Sequence, residues 1–238
     1  MAFDPLPRRL RPLALALLAG TLLLSGCGGS SAKADEPSPA EVMKVAKKNF
    51  DDASSVHIAL STSATPSSGN GVLGADGDLT QAPAFQGEVK VVLGGLTATV
   101  PITSLDGKVY AKLPLQTKFA VIKPSEYGAP DPADFADPAT GLSSLLTQMK
   151  DLKKGSEKRS SDQILTSYSG TVPGAAVKAI IPSADTASTY KTVVGIDEKG
   201  FATTVKVTGK FFAGNDDTTY DVKFDQYDKG VTITAPAA

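Results

Sequence analysis

Gly87-Glu88-Val89-Lys90-Val91-Val92-Leu93-Gly94-Gly95-Leu96-Thr97-Ala98-Thr99-Val100-Pro101-Ile102 is the stretch that decides the fold. Val89, Val91 and Leu93 alternate with Lys90 and Val92 before the glycine pair. Leu96, Ala98, Val100 and Ile102 alternate with Thr97, Thr99 and Thr103 after it. A period of two sends successive side chains to opposite faces of a strand. Gly94-Gly95 then supplies the tight turn of an antiparallel hairpin. Working outward, Asp106-Gly107 ahead of Val109, Ala111 and Leu113 adds another hairpin, and Val56, Ile58 and Leu60 alternate with His57, Ala59 and Ser61. Residues 74–80 give a weaker strand pattern. Connected hairpins of this kind imply a wide antiparallel sheet with one solvated face.

Helical spacing brackets the sheet. Ser38-Pro39-Ala40-Glu41 reads as a capping box with proline at the first helical position, and Val42, Val45, Ala46 and Phe50 follow at helical intervals, so a helix is expected over 39–53. The proline- and aspartate-rich residues 124–138 form a structured loop without regular pairing. Leu142, Leu145, Leu146, Met149 and Leu152 make a second helical stripe, and 174–181 a short apolar helix ended by Pro182. Strand patterns return at 164–170, 189–197, 201–212, 218–227 and 231–234, with turns at 198–200, 214–217 and 228–230. The class is α+β. Helices with one apolar stripe must cover the apolar face of the sheet; sequence leaves open whether that interface closes dry.

The N-terminus carries Arg8, Arg9 and Arg11, then an apolar run from Leu13 to Leu24, then Leu24-Ser25-Gly26-Cys27. A run of ~12 residues is short of the ~20 that span a bilayer, so it reads as an export signal. The small pair before cysteine resembles a bacterial lipobox, in which a nucleophilic thiol takes a diacylglyceryl group and the signal is cut before it. The alternative is an ordinary secretory peptide. The Arg8-Arg9 pair has little flanking support for twin-arginine export, which leaves general secretion. The expected organisation is a signal peptide over 1–26, an acylated Cys27 with a flexible Gly/Ser/Ala tether over 27–38, and one domain over 39–238. Two or three acyl chains make a durable membrane anchor.

Cleavage before Cys27 leaves 212 of the 238 residues, with 21 basic and 24 acidic side chains and a net charge of about −3. That balance argues against nucleic acid as a partner. With Cys27 committed to lipid, the domain has no disulfide and relies on packing. Catalytic chemistry is missing too. His57 is the sole histidine and falls on the polar face of a strand, so no zinc site or histidine-based triad can be built. No Gly-x-Ser-x-Gly elbow occurs. Gly69-Asn70-Gly71-Val72-Leu73-Gly74 has the letters of a dinucleotide fingerprint but precedes a strand rather than a helix, and reads as a loop. Asp76 with Asp78, and Asp216 with Asp217, read as turn residues rather than a cation or acid/base pair. By spacing alone the Leu142–Leu152 stripe is ordinary core.

Ordered landmarks resemble the LppX, LprA, LprF and LprG lipoproteins of mycobacteria and their actinobacterial relatives. They are Ser54-Ser55-Val56-His57, Gly87-Glu88-Val89-Lys90-Val91 with Leu93-Gly94-Gly95, Asp106-Gly107-Lys108-Val109-Tyr110-Ala111, and Asp131-Pro132-Ala133 with Asp137-Pro138-Ala139-Thr140-Gly141-Leu142. The resemblance implies a half-barrel, that is, a strongly bent antiparallel sheet with helices packed on its concave face around an apolar cavity. It implies a non-enzymatic, membrane-anchored protein on the extracytoplasmic face of the cell membrane. Such a protein binds acylated lipids or glycolipids and carries them toward the outer envelope. No cofactor is implied beyond a bound di- or triacylated lipid. On that reading Val56, Ile58, Val89, Val91, Leu93, Val100, Ile102, Val109 and Ala111 face the cavity from the sheet, and Leu142, Leu145, Leu146 and Met149 form the opposite wall. Two or three chains need more room than the ~300–1,000 Å³ of an ordinary ligand pocket. An alternative is an interaction protein that binds a sensor kinase or transporter and reports lipid occupancy. An esterase or transferase lacks a nucleophile–base signature.

Overall fold

A computed structural model of the protein describes residues 36–67, 69–160, 163–214 and 216–237. The signal peptide expected over 1–26, the expected acylation site Cys27 and the expected tether up to residue 35 lie outside the described residues. The folded unit spans Pro37–Ala238. Helix α1 (Pro39–Asp52) opens it, followed by β1 (Ser55–Thr62), β2 (Gly71–Thr80), β3 (Ala84–Leu93), β4 (Leu96–Leu105), β5 (Lys108–Ala111) and β6 (Ala120–Ile122). Two short 3-10 turns, Pro124–Tyr127 and Pro132–Ala136, lead to α2 (Ser144–Gln148). After it come β7 (Lys150–Ser160), β8 (Gln163–Pro173), α3 (Gly174–Ile180), β9 (Thr189–Asp197), β10 (Ala202–Gly209) and β11 (Thr218–Asp225).

All eleven strands form one open antiparallel sheet in the order β6-β5-β4-β3-β2-β1-β11-β10-β9-β8-β7. The pairing of β1 with β11 closes the long-range gap, with His57 opposite Asp225 and Thr62 opposite Tyr220. A flat sheet from β6 to β8 would be about 43 Å wide at about 4.8 Å per strand. Side chains from all ten of those strands border one cavity of about 400 Å³, so the sheet is curled around it. Facing glycines help it bend. Gly77 and Gly87 are partners across β2 and β3, and a Cβ on Gly87 would stand 2.2 Å from the Asp76 carbonyl oxygen. Only glycine permits this approach.

Helix α1 forms as its sequence dictates. Ser38 Oγ accepts from the Glu41 amide at 3.3 Å, and Glu41 returns a carboxylate contact to the Ser38 amide at 2.7 Å. The Ser38 hydroxyl, which donates to that carboxylate at 2.7 Å, and the Ser38 amide together hold the Glu41 carboxyl below its ordinary range. The buried face is Met43, Ala46 and Phe50, spaced i, i+3, i+7, rather than one led by Val45, which is 49% exposed.

Three segments depart from expectation. The stripe after Gly141 is helical only over Ser144–Gln148. Met149 ends the helix, and Leu152 lies in β7, an edge strand rich in lysine. That strand is exposed along nearly its whole length, so it carries no alternation, and its charges protect an open edge. Asp151 takes φ +54° where the β7–β8 register shifts, a conformation aspartate tolerates better than most residues. The short β6 has too few residues to declare a period. Residues 231–234 form no strand, because both neighbours of β11 are already taken by β1 and β10.

Candidate functional site: an apolar cavity inside the curled sheet

The cavity forms where the inward rows of the strands meet the helices and the loop before α2. Ala75, Val89 and Val100 stand side by side on β2, β3 and β4, and all three are on the wall. Val91, Leu93, Ile102 and Val109 extend that wall, and Ile58 with Leu60 continue it onto β1. Opposite them, Leu142, Leu145, Leu146 and Met149 come from α2 and its flanks. Two expected residues are off the wall. Val56, only 1% exposed, packs in the dry core beside its β2 partner Leu79. Ala111 is fully buried between Ile102 and Ala120, and its single methyl does not reach the cavity that Val109 and Leu113 reach.

Sequence reasoning missed half of the enclosure. Val172, Val194, Val205, Val207, Val222 and Phe224 bring β8 to β11 onto the wall, and Val177, Ile180 and Ile181 bring α3 and its end. The alternating pattern in β10 and β11 marks the right faces. What it lacks is the information that β11 lies against β1.

The loop 124–138 forms one side of the cavity through Pro124, Tyr127, Pro130, Pro132 and Phe135. It is pinned rather than slack. Asp131 accepts from the Ala133 amide at 2.9 Å and from the hydroxyl of fully buried Ser104 on β4. Asp137 accepts from the Ala139 and Thr140 amides at 2.7 and 2.9 Å, contacts that hold its carboxyl below the ordinary range. Burial, with Asp131 and Asp137 nearby, pushes Asp134 up. Gly141 completes the turn, since a Cβ there would fall 2.4 Å from the Phe135 carbonyl oxygen.

One end of the cavity is sealed by aromatic rings. Phe50 meets Phe224 edge-on at 5.5 Å and Tyr227 at 6.3 Å, and Tyr227 donates to the Ala202 carbonyl at 2.6 Å. At the other end Tyr190, Phe211 and Tyr220 close the β9–β11 side, where the Tyr220 hydroxyl donates to the Val72 carbonyl. Burial pushes the Tyr220 and Tyr227 phenols well above their ordinary range. The β2–β5 side of that same end is open. There the wall runs out to half-buried Gly71, Leu93 and Leu113 and to exposed Asn70, whose side chain accepts from the Gly94 amide at 3.0 Å.

The walls are almost wholly hydrocarbon, and the few polar side chains include Ser183, whose buried hydroxyl has no partner. A volume of about 400 Å³ falls within the ordinary range for ligand pockets, below the room expected for two or three chains. His57 lies on the outer face of the sheet, 3.0 Å from Asp78 and 3.7 Å from Asp76, on the opposite face of β1 from Ile58 and Leu60. Among the described residues no helix is long and apolar enough to cross a membrane.

The LppX_LprAFG lipoprotein family model matches residues 38–234. A protein named lipoarabinomannan carrier protein LprG from Mycolicibacterium hassiacum is 28% identical over 235 residues, covering 97% of this chain and 99% of that protein. The protein of the same name from Mycobacterium tuberculosis is 29% identical over 201 residues, 81% of each chain. Among solved structures, LprF from Mycobacterium bovis superposes with a TM-score of 0.69 at 17% identity, covering 85% of this chain and 99% of that one. The lipoprotein LppX from Mycobacterium tuberculosis superposes with a TM-score of 0.60 at 16% identity, covering 84% and 100%. Both likenesses concern the open, curled antiparallel sheet.

Proposed function

The chain belongs to the LppX_LprAFG lipoprotein family, and on that premise we propose that it is a membrane-anchored, non-enzymatic carrier of acylated lipids or glycolipids. The observation that carries the reading is the cavity itself, bordered by ten strands with aliphatic walls and open at one end. Cys27 is the acylation site and holds the domain on the extracytoplasmic face of the cell membrane. The likeness to two proteins named as lipoarabinomannan carriers supports a ligand that couples acyl chains to a large polar head.

The energetics favour this role. An acyl chain of ~16 carbons forfeits on the order of 12 kcal/mol of burial on leaving a bilayer, at ~0.8 kcal/mol per methylene. At roughly 30 Å³ per methylene, similar to the share of one water in the liquid, a 400 Å³ cavity takes up about 13 of them. It offsets most of the cost for one chain and leaves the head group at the open end. Carriage toward the outer envelope is part of this proposal, and a tether at up to ~3.5 Å per residue would hold the domain and its ligand some tens of ångströms off the lipid surface.

Native mass spectrometry of the protein purified from an actinobacterial host, followed by lipid extraction, tests the reading. A stoichiometric species removed by delipidation and restored from vesicles is the expected result. A protein that is empty as isolated and takes no acyl lipid from vesicles overturns it.

A further inference from the structure

The cavity-facing rows of β4 and β5 do not stop at the mouth. On β4 the row Ile102, Val100, Ala98 passes from the wall to Leu96, which is 76% exposed at the tip of the β3–β4 hairpin. On β5 the row Val109, Ala111, Leu113 leads into the β5–β6 loop, where Leu115 is fully exposed. Strand β5 runs back along β4, and past it the chain turns where the Gln116 amide donates to the Leu113 carbonyl at 3.0 Å, so Leu115 stands in the β5–β6 loop at the same end of the sheet as the β3–β4 tip. Leu115 also holds φ +70°, a backbone region that favours glycine. Neither burial nor backbone geometry accounts for leucine at this position.

The charge near the two tips is mainly basic. Lys90, Lys112 and Lys118 lie on the segments that lead to them, with Glu88 on the same stretch of β3, whereas Lys108 and Asp106 sit at the turn at the opposite end of the sheet and Lys123 is 3.8 Å from Glu126. The chain as a whole has a net charge of −1. Exposed aliphatic side chains backed by lysines suit an anionic lipid surface, where the apolar tips enter the acyl boundary and the lysines meet head groups.

We propose that the β3–β4 and β5–β6 tips form a lip that inserts into an anionic bilayer. The cavity mouth then faces the membrane, and an acyl chain slides past Leu96 and Leu115 to Leu93 and Leu113 without crossing water. This docking rests on the carrier reading and adds to it a loading geometry separate from the acyl anchor.

The sequence contains no tryptophan, so a single introduced one reports its own surroundings. Acylated protein carrying Leu115→Trp is reconstituted in phosphatidylcholine vesicles with and without one third phosphatidylglycerol. Its cavity is first saturated with unlabelled lipid, and brominated phosphatidylcholine serves as the quencher. Val193→Trp, on the outer face of β9, is the reference. Quenching at least threefold stronger at position 115 than at 193, and stronger with phosphatidylglycerol, is expected. A second variant, Leu115→Gly, relieves the positive φ and is expected to keep its melting temperature while loading a fluorescent phospholipid from its own vesicle about tenfold more slowly, at unchanged final occupancy. Equal quenching at 115 and 193 together with unchanged loading overturns the lip. So does protection of position 115 only on adding a protein partner. Failure of the unsubstituted protein to reach any occupancy refutes the carrier reading instead.

Discussion

Replacing Val89 by tryptophan fills the cavity from the middle of its sheet wall. Val89 lies between Ala75 on β2 and Val100 on β4, and all three border the cavity, so the indole has its free space inward and across the small Ala75. Tryptophan brings about seven more heavy atoms than valine, and each displaces roughly one methylene of ligand worth ~0.8 kcal/mol. With half of that recovered by the chain bending aside, the loss is about 3 kcal/mol, or on the order of 100-fold in affinity. Valine 89 is half-buried against the cavity rather than against packed core, so stability is expected to change by less than about 1.5 kcal/mol. The assay is a titration with a fluorescent C16 phospholipid, read beside a urea melt, with Val193→Trp as the control for tryptophan on the outer face. Full affinity in the Val89→Trp protein refutes the assignment of this wall to ligand. Equal loss in the control traces the effect to the fold rather than the cavity.

Three further outcomes follow from the same structure. Phe50→Ala removes a ring packed against Phe224 and Tyr227 at the sealed end of the cavity; a loss of about 3–5 kcal/mol is expected by urea denaturation, and a loss under 1 kcal/mol contradicts the sealing role. Ser38→Ala removes the capping box of α1 and is expected to cost about 1 kcal/mol, a fall of about 2–4 °C in Tm for a domain of this size; an unchanged Tm means that the first turn of α1 contributes nothing to the fold. Because burial raises Tyr220 and Tyr227 in the folded state, folding holds their phenol protons. Their contribution is complete below the unfolded value near pH 10 and declines above it by up to ~1.4 kcal/mol per pH unit for each tyrosine. Urea melts at pH 9 and 11 should diverge, and Tyr227→Phe should narrow the gap; an identical gap in that variant rules out Tyr227 as a source.

Much of the fold is legible because alternation is a local property. The hairpin across Gly94-Gly95, the strand over Thr189–Asp197 and the capped helix α1 each follow from residues within one element. Legibility fails where burial is one-sided only through tertiary contact. Strand β7 is exposed on both faces and so has no period, and the helical stripe from Leu142 ends at Met149 because the next residues pair with β8. The cavity wall divides in the same way. Val89, Val91, Val100 and Leu146 are marked by spacing, and family resemblance says what such spacing is for. Phe224, Val205 and Val177 reach the cavity only because the sheet curls.

The order of apolar and polar side chains along each strand, the caps and turns between them, and the scarcity of catalytic groups are determined by the sequence by itself. They depend on neighbours one to four residues away, and elementary backbone geometry translates them directly. Which strand neighbours which, how far the sheet curls and what volume remains inside are decided only in the tertiary structure. The β1–β11 pairing joins residues more than 150 positions apart, and no local pattern encodes the gap left between surfaces that each look, in sequence, like ordinary core.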